Sequence, residues 1–385
     1  MTGAVPGGAP MKIVHVITDL NQGGAQAMLE KLVLAGKRMN PEIEQTVINL
    51  GRPGVVGSRL ARAGIAVESL EMALSIQSIA RIITLARRLR SGPVTPVIQT
   101  WLWHADLIAG LCAHAAGNRK VVWNLRNSMP SHPATKRASR AVARLCARLS
   151  RRVPAVIICN SRAALRAHVA IGYCAEKCIV IPNGFDVRTF VNSSGSRSEV
   201  RARWGAAPGE ALVGMVARID PLKDHATFIR AAASVAVRLP RTRFVLVGEG
   251  VTHNAAIRAL LAETNLAGRF ILEERSDAVQ KIMSALDVSC LASRSEGFPN
   301  VVGEGMASAT PTVATDVGDV RSILGDDRLV AAANDPESLA SCIEYVLGLG
   351  DEERRALGLK QRREIEVRFD IEQIWNRYLE LYSSV

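Results

Sequence analysis

Two glutamates eight positions apart, Glu296 and Glu304, bracket the segment GFPNVVG, and two cations five positions apart, Arg218 and Lys223, bracket Pro221. Carboxylates so placed can accept hydrogen bonds from sugar hydroxyls, or act as acid and base on either side of a scissile glycosidic bond. A guanidinium and an ammonium on one turn can clamp a diphosphate and neutralise the charge that grows on it as a leaving group. A third element, Gly23-Gly24, would let backbone come close to a phosphate. Each feature alone also has a plain explanation, as solvated glutamates, a solvated basic loop and a common glycine turn.

The segments around these residues decide where they can stand. The apolar run 288–291 (VSCL) precedes Glu296, and Pro299 suits the first turn of a helix, so a helix is predicted from about Phe298. Glu296 then lies in the loop at a strand's carboxyl end, and Glu304 about one turn inside the helix. In an open αβ sheet that edge binds ligands, and a helix start beside it offers unpaired N–H groups. Arg218 follows another predicted strand, 212–217 (LVGMVA), ahead of a helix over 226–237, with further strands at 244–247, 270–272 and 312–315. The first half has the same logic: strand 11–18 (MKIVHVIT), turn NQGG, helix 25–39, then apolar runs at 45–50, 97–101, 120–125 and 155–160. Alternating strands and helices imply an α/β chain with mostly parallel sheets covered on both faces. The polar stretch 192–197 (NSSGSR) has the composition of an interdomain linker, which sets a boundary near residue 190 and two similar domains with a cleft between them. The end of the chain (IEQIWNRYLELY) places Ile371, Ile374, Trp375 and Leu379 at helical spacing, so the helix over about 368–385 needs an apolar surface to lie on.

Composition narrows the class. A chain of 385 residues that is 48% hydrophobic and 22% charged can bury two cores. It offers no apolar run of about 18 residues and no secretory leader pattern, so neither membrane spanning nor secretion is expected. Seven cysteines, an odd number set mostly in apolar runs, favour free thiols and a reducing, cytoplasmic setting. Cys174 and Cys178 lack a second Cys/His pair at finger spacing, so no structural metal is expected. The net charge of +12 calls for an anionic partner, and with only 4% aromatic residues a nucleic-acid platform is not expected. The most basic stretch is 136–152, where Arg137, Arg140, Arg144, Arg148 and Arg151 recur at helical spacing, with no acidic residue between Pro133 and Val153. It is either a solvated basic face or a contact for an anionic membrane surface.

Over residues 11–382 the chain resembles the family 4 retaining glycosyltransferases of the GT-B fold. The matching stretches are NQGGAQ (21–26), QTWLWHADL (99–107), VIPNGFD (180–186), VARIDPLKD (216–224), FVLVGEG (244–250), SRSEGFPNVVGEGMA (293–307) and PTVATDVGD (311–319). The resemblance implies two facing Rossmann-like domains with the active site in the interdomain cleft, an acceptor side over 1–190 and a nucleotide-sugar side over 191–367, with the C-terminal helix returning to the first domain. It implies that Arg218 and Lys223 hold the donor diphosphate, that Glu296 faces the sugar and that Glu304 binds ribose. Gly297, Phe298 and Asn300 would contact the donor through backbone, Gly23 and Gly24 would approach its phosphates, and Arg275 would border the nucleobase. No cofactor or metal is implied, two cations standing in for a divalent ion; the donor is a nucleotide-sugar of the UDP type, and the acceptor a glycan or lipid-linked molecule in polysaccharide or glycolipid synthesis at the inner face of a membrane. One departure is visible: where many members carry a histidine after the strand matching 121–125, this chain has Arg126-Asn127-Ser128. His104, Arg126 and Asn127 are therefore the candidates for that contact to donor or acceptor. A nucleotide-sugar epimerase or phosphorylase of the same fold, and a glycoside hydrolase, are the competing activities.

Overall fold

The computed structural model describes residues 11–72, 77–126, 135–190, 194–276 and 278–385. The chain divides into two units, Met1–Gly184 with Ile371–Val385, and Phe185–Asp370. The first unit contains β1 (Lys12–Ile17), α1 (Gly24–Met39), β2 (Glu44–Asn49), α2 (Val55–Arg62), β3 (Ala66–Ser69), α3 (Gln77–Arg88), β4 (Val97–Trp101), α4 (Trp103–Ala115), β5 (Val121–Leu125), α5 (Arg137–Leu149), β6 (Val156–Cys159), α6 (Arg162–Ala170) and β7 (Cys178–Val180). The second contains α7 (Ser194–Arg203), β8 (Ala211–Val216), α8 (His225–Arg238), β9 (Thr242–Val247), α9 (Ala255–Glu263), β10 (Phe270–Glu273), α10 (Val279–Ala285), β11 (Val288–Leu291), α11 (Asn300–Ala307), β12 (Thr312–Thr315), α12 (Val320–Leu324), β13 (Val330–Ala331), α13 (Pro336–Gly348) and α14 (Asp351–Arg368). The last helix, α15 (Ile371–Ser384), belongs to the first unit.

Both sheets are parallel. Their strand orders are β3-β2-β1-β4-β5-β6-β7 and β10-β9-β8-β11-β12-β13. In each, the first strand of the unit has its sequence successor on one side and a later strand on the other, so the connections diverge between β1 and β4, and between β8 and β11. At such a switch point adjacent loops splay apart at the carboxyl ends and leave a crevice. In the first unit alternate residues of β1 feed opposite faces: Ile13 and Ile17 join the core with α1 and α15, while Val16 joins the core with α4 and α5.

The fold differs from sequence expectation at several points. Residues from Ser194 onward form α7, where a linker was expected. Ser and Gly are weak helix formers, but Val200 and Trp204 are buried, and Arg197 and Arg201 both reach Asp287, at 2.6 and 3.0 Å, as well as backbone carbonyls at the end of α10. Tertiary contact supplies what propensity lacks. The passage between units falls at Gly184 and Phe185, a little before the expected position near 190. Three short strands, β3, β7 and β13, were not legible as apolar runs, being four, three and two residues long. Helix α11 starts at Asn300, with Pro299 at its N-cap and not in its first turn.

Helix α15 docks on α1 through Ile371, Ile374, Trp375 and Tyr378, all buried, and a Cβ on Gly36 of α1 would stand 2.5 Å from the Trp375 ring. The Trp375 indole donates to Asn40 Oδ1 at 2.9 Å. Leu379, expected on that stripe, is only partly buried at its rim.

Candidate active site

The second sheet brings Lys223 and Glu296 together. The loop after β8 contains a short 3-10 turn, Pro221–Lys223, and the loop after β11 contains Ser293 to Pro299, so the two residues flank the switch point. Lys223 Nζ donates to Glu296 Oε1 at 2.5 Å, and Ser293 Oγ donates to the same oxygen at 2.8 Å. Both side chains are mostly shielded, 21% and 14% exposed, a setting in which a charge pair is stronger than at an open surface.

Neighbours not picked out from sequence hold this pair. Asp224 adopts a left-handed conformation (φ 49°, ψ 57°), which turns the chain sharply from the 3-10 turn into α8, and caps that helix by accepting from the Thr227 amide and hydroxyl. Its carboxylate, 2% exposed, also accepts from Arg294 Nε at 2.8 Å and Nη2 at 3.2 Å. The Arg294 amide donates to Leu222 O at 2.8 Å. The two loops are thus bolted by a forked ion pair and a main-chain bond beside Lys223 and Glu296. Burial raises the Asp224 carboxyl, but Arg294 and Thr227 outweigh it and hold it below the usual range. The signal that could have found Asp224 is its place before a helix; Arg294 has no sequence signal.

Arg218 stands at the same edge but turns to Asp220, donating to Oδ2 at 2.7 Å, and its side chain is 64% exposed. Burial raises the Asp220 carboxyl, while the Leu222 amide and Arg218 lower it further, so it titrates below the usual range. An exposed pair of this kind is weak and leaves the guanidinium able to exchange partners.

Around the pair, glycines set distances. A Cβ on Gly318, whose φ is +61°, would lie 2.4 Å from Gly297 O, and one on Gly248 would lie 1.9 Å from Ala217 O, beside Arg218. Gly303 and Gly305 flank Glu304 for packing reasons: a Cβ on Gly303 would meet the Phe185 ring at 2.1 Å, and one on Gly305 would meet Thr312 Oγ1 at 2.5 Å. With the neighbours pressed into the core, Glu304 remains half-exposed on α11. Phe298 is buried against Phe185 and Phe369, ring centroids 6.2 and 5.6 Å away, which leaves its backbone to face the loop. Asn300 opens α11, and Arg275 lies exposed after β10 on the same sheet edge.

The first unit presents its own carboxyl edge. Gly23 is the N-cap of α1 with extended backbone (φ −177°, ψ 169°), so the glycine pair makes no left-handed turn, and no side chain caps the helix. Leu102, between β4 and α4, has φ 73° and ψ 153°, a costly conformation for a branched residue, and it places His104 in the first turn of α4. His104 is half-buried, and burial lowers its pKa. Arg126 directly follows β5, with its guanidinium over the Trp101 ring at 5.4 Å and bonded to Asn183 Oδ1. Asn127 lies outside the described residues, as do Ser128 and Asp277. Two further histidines are core residues. His15 is flanked by Gln45 and the Trp101 indole, each at 3.4 Å, and His168 accepts from the Trp103 indole at 2.9 Å.

Residues 23–189 match a family model described as Glycosyltransferase Family 4, and residues 210–348 match one described as Glycosyl transferases group 1. The D-inositol 3-phosphate glycosyltransferase of Nocardia farcinica is 32% identical over 195 residues, 48% of this chain and 43% of that protein. The putative glycosyltransferase EpsF of Bacillus subtilis is 31% identical over 146 residues, 37% of this chain and 36% of that protein. The matched stretches thus span less than half the length of these curated relatives. Among solved structures, Anabaena HepE in complex with UDP is similar with a TM-score of 0.85 over 97% of this chain and 100% of that one, at 21% identity, a likeness of fold.

Proposed function

The chain belongs to the family 4, group 1 glycosyltransferases of the GT-B fold, and from that premise we propose that it moves a sugar from a nucleotide-sugar to a glycan or lipid-linked acceptor with retention of configuration. The observation that carries the reading is the shielded Lys223–Glu296 pair at the switch point of the second sheet. A diphosphate entering this edge meets Lys223 and, after exchange with Asp220, Arg218. Both charges then oppose the negative charge that develops as the sugar–phosphate bond breaks, the type of stabilisation on which such transfers chiefly depend. In this reading Glu296, bound to Lys223, accepts from a sugar hydroxyl, and Glu304 from the ribose. A UDP-sugar is the donor we favour, because HepE was solved with UDP and with UDP-glucose.

The test is release of UDP from a panel of UDP-sugars. Release that requires an added acceptor and survives EDTA supports a metal-independent transferase. Release of free sugar without acceptor would favour hydrolysis, and interconversion of the donor sugar an epimerase.

No helix among the described residues is long and apolar enough to cross a membrane. We place the enzyme in the cytoplasm, and docking at an anionic membrane surface through α5 is part of this reading. The helix buries Ala143, Cys146 and Ala147 in the core, and beside its arginines Leu145 is the exposed large apolar side chain, between Arg144 and Arg148. Each basic side chain near anionic lipid adds about 1 kcal/mol, screened by salt. Sedimentation with phosphatidylserine vesicles is expected at low salt and is expected to fail when Arg140, Arg144 and Arg148 are changed to Gln. Binding indifferent to those changes would remove the membrane from the reading.

A further inference from the structure

Arg126 holds a charge that its own unit leaves unanswered. It is only partly exposed, at the carboxyl end of β5, where a ligand edge is expected. Its hydrogen-bond partners are neutral: Asn183 Oδ1, and Asn124 Oδ1 at 3.4 Å, with Asn124 Nδ2 in turn donating to the Tyr378 hydroxyl at 3.1 Å. Nε is buried without a partner. No carboxylate among the described residues pairs with it, and the stretches 73–76 and 127–134 carry no acidic residue. Removing a guanidinium from water costs several kcal/mol unless an anion compensates, so such residues are rarely kept for stability alone. The surroundings are also built to keep it in place. Asn160 Nδ2 donates to the Arg126 carbonyl at 3.2 Å, and the guanidinium lies over the Trp101 ring, which is itself fully buried.

We propose that Arg126 is the binding residue for an anionic group, phosphate or carboxylate, on the acceptor. The inference rests on the glycosyltransferase reading for the word acceptor, since the diphosphate cations Arg218 and Lys223 belong to the other unit. A planar fork over an aromatic face suits a two-oxygen anion, and the neutral Asn124 and Asn183 orient the fork without neutralising it. The uncompensated charge is then the cost of a site that is complete only when loaded, and the acceptor class is narrowed to molecules that carry a phosphate or carboxylate.

Thermal melting of the full chain under saturating UDP, with inorganic phosphate as probe against chloride of equal ionic strength, tests this. A ligand bound only by the folded state raises the melting point. Phosphate is expected to raise it for the wild type by about 2 °C or more at roughly tenfold its Kd. Arg126→Met should lose that rise while melting at or above the wild type without phosphate, because it removes an uncompensated charge. Arg126→Lys, which keeps the charge but not the fork, should need about tenfold more phosphate for the same rise. Three results would each overturn the proposal: no phosphate effect on the wild type, the same effect in Arg126→Met, or Arg126→Met melting several degrees lower. UDP itself reports on the donor reading separately. If UDP raises the melting point of wild type and Arg126→Met alike while phosphate does nothing, only the acceptor site fails; if UDP does nothing to either, the glycosyltransferase reading fails.

Discussion

Lys223 and Glu296 were singled out in sequence as members of two separate motifs, and the 2.5 Å contact between them makes one site of the two. Lys223→Ala and Arg218→Ala are each expected to lower turnover about 10²- to 10³-fold, the usual cost of removing one group aimed at developing negative charge. Circular dichroism should remain that of the wild type, because neither side chain caps a helix or fills the core. Turnover close to wild type in both variants would refute the clamp. Glu304→Gln has a different signature. Its carboxylate is assigned to ribose hydroxyls, so UDP affinity measured by calorimetry should fall more than turnover at saturating donor. Residue types and spacing made these candidates legible. Asp224 and Arg294 were not, since their role comes from a contact across 70 positions of sequence that only the parallel pairing of β8 with β11 brings about.

At the scale of elements, α11 depends on two glycines for its seat. Gly303→Ala would put a methyl 2.1 Å from the Phe185 ring, which is fully buried and packed on Phe298, so the ring has little room to yield. Overpacking of this kind costs about 1–3 kcal/mol. Urea denaturation should show that loss, and Phe185→Leu added to Gly303→Ala should recover part of it, since the pair is coupled through one contact. Equal losses in the single and double variants would show that the strain lies elsewhere. The alternation of apolar runs with helices already told that these would be α/β units. The start of α11 was displaced because a proline tolerates both the N-cap and the first turn, and backbone geometry, not residue type, chose between them.

For the whole molecule, buried ionisable groups couple folding to pH. Burial outweighs the Gln45 hydrogen bond at His15 and the Ala164 hydrogen bond at His168, and lowers each pKa to about 4 from an unfolded value near 6.5. Above pH 6.5 both states are neutral at these sites. Between pH 6.5 and 4 the unfolded chain takes up protons that the folded chain refuses, so stability falls as pH falls. Each histidine contributes about 1.4 kcal/mol per pH unit across that window. Asp106 acts in the opposite sense. Burial raises its pKa well above the ordinary value despite the Thr100 hydrogen bond, so the folded chain keeps this proton to higher pH than the unfolded chain does, and its contribution to stability grows as pH falls. Asp106 therefore offsets part of the slope set by the two histidines. Asp106→Asn should remove that offset and steepen the fall of stability with falling pH. Urea titrations of wild type and variant between pH 7 and 5 check this, and parallel slopes would show that Asp106 ionises in the folded state.

The order of strand and helix, the two repeating halves and the list of chemical groups follow from local pattern, because apolar periodicity, glycine turns and charge type are properties of neighbouring residues. The glycosyltransferase family was legible for the same reason, its motifs being short contiguous stretches such as SRSEGFPNVVGEGMA. What the tertiary structure decided was which groups meet: Lys223 with Glu296 and Arg294 with Asp224 at one sheet edge, Arg126 with neutral partners at the other. It also made a helix of a Ser/Gly-rich stretch through Arg197 and Arg201, and placed α15 back against α1. Those outcomes depend on contacts between residues far apart in the chain, where burial, charge and steric fit are set by neighbours that no local pattern names.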